Sequence, residues 1–446
     1  MTSKSLQSLR GIPTTAISCL LVALLETFSM GALRAQSQEQ VRQVSLDEAI
    51  GIALQNSPAI SQALASIRQS ESQRTSAVGA FLPSLNLGYG YSNASTGRLD
   101  PTGRAITSTS WTTQLTASYD ILDGFRRLNQ LDNARKNVAA ELATYEEMRY
   151  QTELNVRTSF FNAVAGRERI QVEQDRVDRQ LEQLTFVRQQ VQLGQATRAD
   201  SLQSRVDLNN ARLALLNAQN DARRAQFALA EAMGVNERVT PTLEAVLNPD
   251  TLHWERGQLM QIAQQQAPRI RSARLSLEAV EASVETQKSS YFPSLRFSGG
   301  FDWGNTDFPP KNRSWSLRLS GSLPIFDGLQ RETGVARALA QTEITQAQLR
   351  STELAVRTAV DDAYSQIETA LAGLRLAEES VVLSRETLRV NQQRYRFGTA
   401  TILDLQQAQI NLRQAQVDVI QRKFDYHVGV AQLESLLGMS LESLAE

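Results

Sequence analysis

Residues 81–92 read Phe81-Leu82-Pro83-Ser84-Leu85-Asn86-Leu87-Gly88-Tyr89-Gly90-Tyr91-Ser92. After the proline, apolar residues alternate with small or polar ones, which gives an extended segment one apolar and one polar face. The same entry returns as Tyr291-Phe292-Pro293-Ser294-Leu295, 210 positions later (293 − 83). Leu295, Phe297, Phe301 and Trp303 then alternate with Arg296, Ser298, Gly300 and Asp302. Ile121-Leu122-Asp123-Gly124 returns as Ile325-Phe326-Asp327-Gly328. Gly194, Thr197 and Asp200 return as Gly398, Thr401 and Asp404, and Leu229 and Gly234 as Leu433 and Gly438. These later pairs are 204 apart (327 − 123, 438 − 234), so the second copy is six residues shorter, all between Pro293 and Asp327. A period this long is far beyond a solenoid unit. The chain is a duplicated half-protein, and whatever one half builds, the molecule builds twice.

Each half reads helix, strand, loop, strand, long helix, tight turn, helix. The first repeat spans 44–235, with a hairpin at 84–121, a long helix at 124–192, a turn at 193–199 and a returning helix. A connector covers 236–254, with Pro241 and Pro249 marking turns. The second repeat spans 255–439, with a hairpin at 294–325, a long helix at 328–396 and a turn at 397–403. Ser45-Leu46-Asp47-Glu48 is a capping-box pattern, and Pro58 breaks the opening helix near its start. The four strands are expected to be about ten residues each. Trp111, Leu115, Ala117 and Tyr119 share one face of the second strand, and Trp315, Leu317 and Leu319 one face of the fourth. Asp123 and Asp327 are placed to cap the long helices. Both long helices are proline-free, and each is about 100 Å long at 1.5 Å per residue. Gly194 and Gly398 suit C-caps. Thr197 and Thr401 suit N-caps, with Asp200 and Asp404 in the first turn, where negative charge complements the helix dipole.

The first 35 residues read as a secretory signal peptide: Lys4 and Arg10, then a short apolar core over 16–25, then small residues up to Ala35. The core is too short for the roughly 20 residues of a membrane span. Cys19, the one cysteine, lies inside it without a lipidation box, so no lipid anchor and no disulfide are expected. Removing the segment takes away Lys4, Arg10, Arg34 and Glu26, which moves the net charge from −1 to −3 (−1 − 3 + 1). That balance gives no reason to expect a nucleic-acid partner. The Gln- and Ala-rich composition with few aromatics suits long amphipathic helices.

Four two-faced strands long enough to cross an outer membrane cannot close a barrel by themselves. Lipid tolerates no open sheet edge, so the chain must assemble, and three copies would supply twelve strands. Apolar rows then meet lipid and polar rows meet water, with Tyr91, Trp111, Tyr119, Trp303 and Trp315 as an interfacial girdle. On the doubled Pro-Ser-Leu entries, the Asp-Gly exits and the turns at 193–202 and 395–405, the chain resembles the TolC-like outer membrane efflux family. The resemblance covers about residues 44–439. It implies a mainly α fold with β-hairpins, whose duplicated long-helix/β-hairpin repeat forms a trimeric α-barrel plus a 12-stranded transmembrane β-barrel. It further implies a homotrimer in the outer membrane with a large periplasmic part. The implied partners are outer membrane lipid, a periplasmic adaptor (membrane fusion protein) and an inner-membrane transporter, either a proton-driven pump or an ABC transporter.

Carried onto this sequence, the resemblance places Leu193, Gly194, Thr197, Arg198, Asp200 and Leu202 in one periplasmic tip turn that meets the adaptor. It places Phe397, Gly398, Thr401, Asp404 and Leu405 in the other. Asp404, and secondarily Asp200, would line the pore constriction. Where some family members have a basic residue and a second acid, this chain has Ala400 and Gln407, so their closing links and double acidic ring do not transfer; Arg198 in the other turn would be a substitute for the pairing. His253 and His427 are the only histidines, and no nucleophile elbow, phosphate loop or metal-ligand spacing accompanies them. No enzyme, cofactor or metal is expected. Two alternatives stay open: an outer membrane component of type I polypeptide secretion, and a periplasm-spanning coiled-coil protein without a pore.

Overall fold

The computed structural model describes residues 42–99, 101–103, 105–242 and 254–441. The expected signal segment, Cys19, His253 and residues 243–253 of the connector lie outside them.

The first half runs β1 (Arg42–Val44), α1 (Leu46–Asn56), α2 (Pro58–Gly79), β2 (Ser84–Leu99), β3 (Ala105–Asp123), α3 (Arg126–Gln192) and α4 (Arg198–Met233). β4 (Val239–Pro241) follows, and then α5 (Arg256–Gln266), α6 (Pro268–Lys288), β5 (Ser294–Asn305), β6 (Asn312–Ser322), α7 (Gln330–Arg396) and α8 (Ile402–Leu437). Both long helices, α3 and α7, have 67 residues, and both returning helices, α4 and α8, have 36. Ser45 caps α1 by accepting from the Glu48 amide, and Pro58 opens α2 after the expected break.

The wall is four helices wide. On the sheet side the order is α2, α3, α6, α7; on the tip side it is α4, α3, α8, α7. The two short helices on one edge lie end to end along α3. In between, two equivalent cores hold each half together. Val156, Phe160, Leu229 and Met233 pack with Val44, Ala53 and Val239. Their counterparts 204 positions on, Val360, Leu433 and Leu437, pack with Leu259 and Ile270. Gly234 must be glycine: its φ is +70°, and a Cβ there would sit 2.7 Å from the Asn56 carbonyl oxygen.

Three expectations need correction. The connector is partly structured, since Val239–Pro241 pairs in parallel with Arg42–Val44 as a small second sheet. The hairpin strands are unequal, with 16 and 19 residues in β2 and β3 against 12 and 11 in β5 and β6. Beyond Tyr91 the alternation stops, but the backbone ladder continues through small polar residues such as Ser92 opposite Ser110. Finally, Asp123 and Asp327 are not N-caps. Phe125 and Leu329 hold those positions in the left-handed region, at φ +65° and +67°, each after a left-handed glycine. Asp123 still accepts from the Arg127 amide at 3.0 Å.

The duplicated core gives a direct test. Leu229→Ala and Leu433→Ala remove equivalent, fully buried side chains. Each is expected to cost about 2–5 kcal/mol in denaturation of the detergent-solubilised protein. A loss under about 1 kcal/mol from either would show that its core is not packed as described.

Candidate functional site

The sheet has the order β2-β3-β5-β6 and is antiparallel throughout. Leu87 lies opposite Leu115, Leu115 opposite Phe301 and Phe301 opposite Trp315, so one apolar row crosses all four strands. The rows on either side hold Tyr89, Thr113 and Trp303, and Leu85, Ala117 and Leu317. The opposite face carries Asn86, Thr112, Gln114, Thr116, Ser298, Ser316 and Ser320. This apolar face is solvent-exposed in a single chain. Among the described residues no helix is long and apolar enough to cross a membrane.

The aromatic residues fall at different heights. Tyr119 lies at the helix end, opposite Phe297. Tyr91 and Trp111 lie opposite each other at the loop end, with ring centroids 4.5 Å apart. Eight residues of β3 separate Tyr119 from Trp111, about 26 Å along the strand, close to the ≈ 25 Å apolar band of outer-membrane barrels. Trp303 sits near the loop end, opposite Thr113 and Arg313. Trp315, opposite Phe301, falls midway between the two aromatic levels in the sheet's register. Phe308, which sequence reading missed, comes from the β5–β6 loop and places its ring 5.3 Å from Trp111.

Where sheet meets helix, the two halves build the same elbow. Arg127 Nε is 3.1 Å from Asp123 Oδ2, and its guanidinium lies over the Phe81 and Tyr119 rings. Arg331 Nε is 2.9 Å from Asp327 Oδ2, over the Tyr291 ring. The recurrence of arginine four residues after each Asp-Gly was the signal available in the sequence.

At the other end both tip turns form complete capping boxes. Gly194 and Gly398 end the long helices at φ +70° and +71°. Thr197 Oγ1 accepts from the Asp200 amide at 3.2 Å, and Asp200 Oδ2 accepts from the Thr197 amide at 3.0 Å and its hydroxyl at 2.8 Å. Thr401 and Asp404 repeat this with 3.2, 2.9 and 2.8 Å. Hydrogen bonds from the Thr401 amide and hydroxyl, with the charge of Arg394, hold the Asp404 carboxyl below its ordinary range.

Leu193, Phe397 and Leu403 project into solvent at 69, 82 and 68% exposure. Leu202 is exposed too. Leu405 is not available for contact: it is 1% exposed and packs with Leu388, Ala408 and Leu412. The buried face of α8 begins at its fourth residue, so Leu405 is core and Leu403 takes the surface position. Arg198 makes no ion pair among the described residues, so the substitute pairing is not formed within this chain. Tyr395, which opens the second turn, was given no role by the sequence reading. It packs against the Leu405 cluster and lies 6.3 Å from the Phe186 ring, and burial and the charge of Asp200 raise its pKa.

A family model described as outer membrane efflux protein matches residues 49–235 and 259–439, the two structural halves in turn. The chain belongs to that family. It is 25% identical over 383 residues to Protein CyaE of Bordetella pertussis, covering 83% of this chain and 79% of that one. It is 24% identical to the outer membrane protein TolC of Escherichia coli, covering 80% and 74%. It is 25% identical to a pyoverdine export outer membrane protein, OpmQ, of Pseudomonas putida, covering 82% and 80%. The fold matches a CusC crystal structure with a TM-score of 0.77 at 19% identity, covering 89% and 92%. It also matches the outer membrane protein VceC of Vibrio cholerae with a TM-score of 0.72 at 18% identity, covering 89% and 96%.

The tip cap has a pH signature. A depressed carboxylate pKa means that the cap's stabilisation is present above the ordinary carboxylate range and is lost as pH falls through the lowered value. Amide hydrogen exchange of residues 402–404, corrected for its intrinsic pH dependence, is expected to accelerate on acidification in the native protein. Asp404→Asn should lack that step. An identical profile in both would show that Asp404 does not hold the turn.

Proposed function

We propose that three copies of this chain close into one tube, which serves as the outer membrane exit duct of a tripartite export system. The observation that carries this is the open four-stranded sheet with one continuous apolar face. Its outer strands, β2 and β6, each have an unpaired edge, and an unpaired edge in hydrocarbon costs several kcal/mol per backbone group. Pairing β6 of one copy with β2 of the next removes every edge, giving twelve strands in a closed ring.

The helical wall supports the same closure. Its two edges are α7 on one side, and α2 with α4 on the other. Exposed apolar residues line both: Leu339, Ile344, Leu376 and Leu383 on α7, Leu64 and Val78 on α2, and Leu213 and Leu216 on α4. A neighbouring copy covers them in a twelve-helix wall that continues the barrel into the periplasm. Substrates pass passively through the water-filled interior. The chain contributes no catalysis; energy comes from an inner-membrane transporter, and a periplasmic adaptor docks on the exposed Leu193, Leu202, Phe397 and Leu403 of the tips. Asp404, with Asp200 behind it, lines the constriction there. Three like carboxylates around a narrow opening attract cations.

Light scattering in mild detergent is expected to give the mass of three chains, and planar bilayers to show discrete conductance steps. Asp404→Ala should lower both cation selectivity and block by multivalent cations added on the tip side. A monodisperse single chain that leaves bilayers impermeable would overturn the tube. Normal conductance with unchanged selectivity and block would overturn the acidic constriction alone.

A further inference from the structure

Two guanidinium groups meet one carboxylate on the polar face of the sheet, at its helix end, and a third lies diagonal to them in the register. Asp120 on β3 lies opposite Arg296 on β5, with Arg296 Nε 2.5 Å from Oδ1 and Nη2 3.2 Å from Oδ2. Arg126, the first residue of α3, brings Nη2 to 4.0 Å from the same Oδ2. One carboxylate is thus shared by two arginines, whose side chains remain 58% and 50% exposed.

Arg318 on β6 adds a third. It lies opposite Ser298, while Arg296 lies opposite Ser320, which makes the two arginines diagonal neighbours on one face. Diagonal positions are about 7–8 Å apart, close enough for like charges to repel. Among the described residues Arg318 makes no ion pair, and its companions on this face are serines. Two other acids of this end, Asp123 and Asp327, are already held by Arg127 and Arg331. Asp302 is four residues along β5 from Ser298, about 13 Å away. The cluster therefore carries three positive charges and one negative, an excess of two per chain. No packing requirement explains Arg318, which is exposed.

We propose that this cluster is an anion-binding belt inside the tube, at the junction of helical wall and sheet, which takes phosphate- or carboxylate-bearing solutes. The belt rests on the tube reading, which turns the polar face inward, and it adds the charge class of the cargo. Three copies place six excess positive charges around one cross-section. A water-filled passage with low-dielectric walls focuses such a field. The belt follows the acidic constriction along the path, so an anion released past the tip meets attraction before the exit.

The test is single-channel recording in planar bilayers, with inorganic tripolyphosphate added on the loop side, so that it reaches the belt without crossing the tip. Half-block of the native channel is expected at low salt and should weaken as ionic strength rises. Arg318→Gln removes a charge without orphaning a partner and should raise the half-blocking concentration roughly tenfold, a loss of about 1.4 kcal/mol in binding free energy. Arg318→Lys keeps the charge and should keep most of the block. Channels that conduct normally but show no block, or show equal block in the native protein and Arg318→Gln, overturn the belt and leave the tube standing. Absence of any conductance in the native protein overturns both.

Discussion

An unpaired backbone edge cannot persist in hydrocarbon. Almost every other feature of this chain answers that constraint. The larger sheet of a single copy has four strands, too few to close, and leaves a free edge on β2 and on β6. One apolar row crosses all four strands, and most of the face around it is exposed within the copy. The helical part has the same incompleteness: a four-helix wall with apolar residues along both edges. One closure by neighbouring copies satisfies sheet and wall together.

Duplication simplifies that closure. Each half brings one hairpin and one helical pair, so a ring of three chains is built from six similar sectors. The equivalence extends to individual atoms. Both tips use the same threonine–aspartate box, and both elbows use the same aspartate, the same left-handed pair and the same stacked arginine. The halves differ where function would separate them. The first hairpin is extended at the loop end, and the second half supplies Tyr395, Phe397 and Leu403 to the tip and Arg296 and Arg318 to the sheet.

Much of this could be read from the sequence, because period and punctuation carry it. Strict alternation after each Pro-Ser-Leu located the strands and assigned their faces. The proline-free stretches located the 67-residue helices, and the Gly…Thr…Asp turns located the threonine caps, though not the aspartates' reach back to complete each box. Other features depend on three-dimensional neighbours that no local pattern records. Phe125 and Leu329 sit at positive φ because the chain must swing from strand to helix there, and neither residue type prefers it. Leu405 and Leu403 look alike in sequence; only the packing of Leu388 and Leu412 against one of them separates core from surface. Tyr395 feels the charge of Asp200 across a sequence distance of nearly half the chain. The strands of the first hairpin outrun their alternation because ladder hydrogen bonds need no apolar side chain.

The most direct measurement of the central claim is amide hydrogen exchange on the outer edges of β2 and β6, resolved by residue, in protein reconstituted into outer-membrane lipid. If β6 of one copy pairs with β2 of the next, amides on both outer edges will exchange as slowly as those of the interior strands β3 and β5. If either edge exchanges at the rate of an unpaired strand while the interior stays protected, the copies do not share one closed sheet.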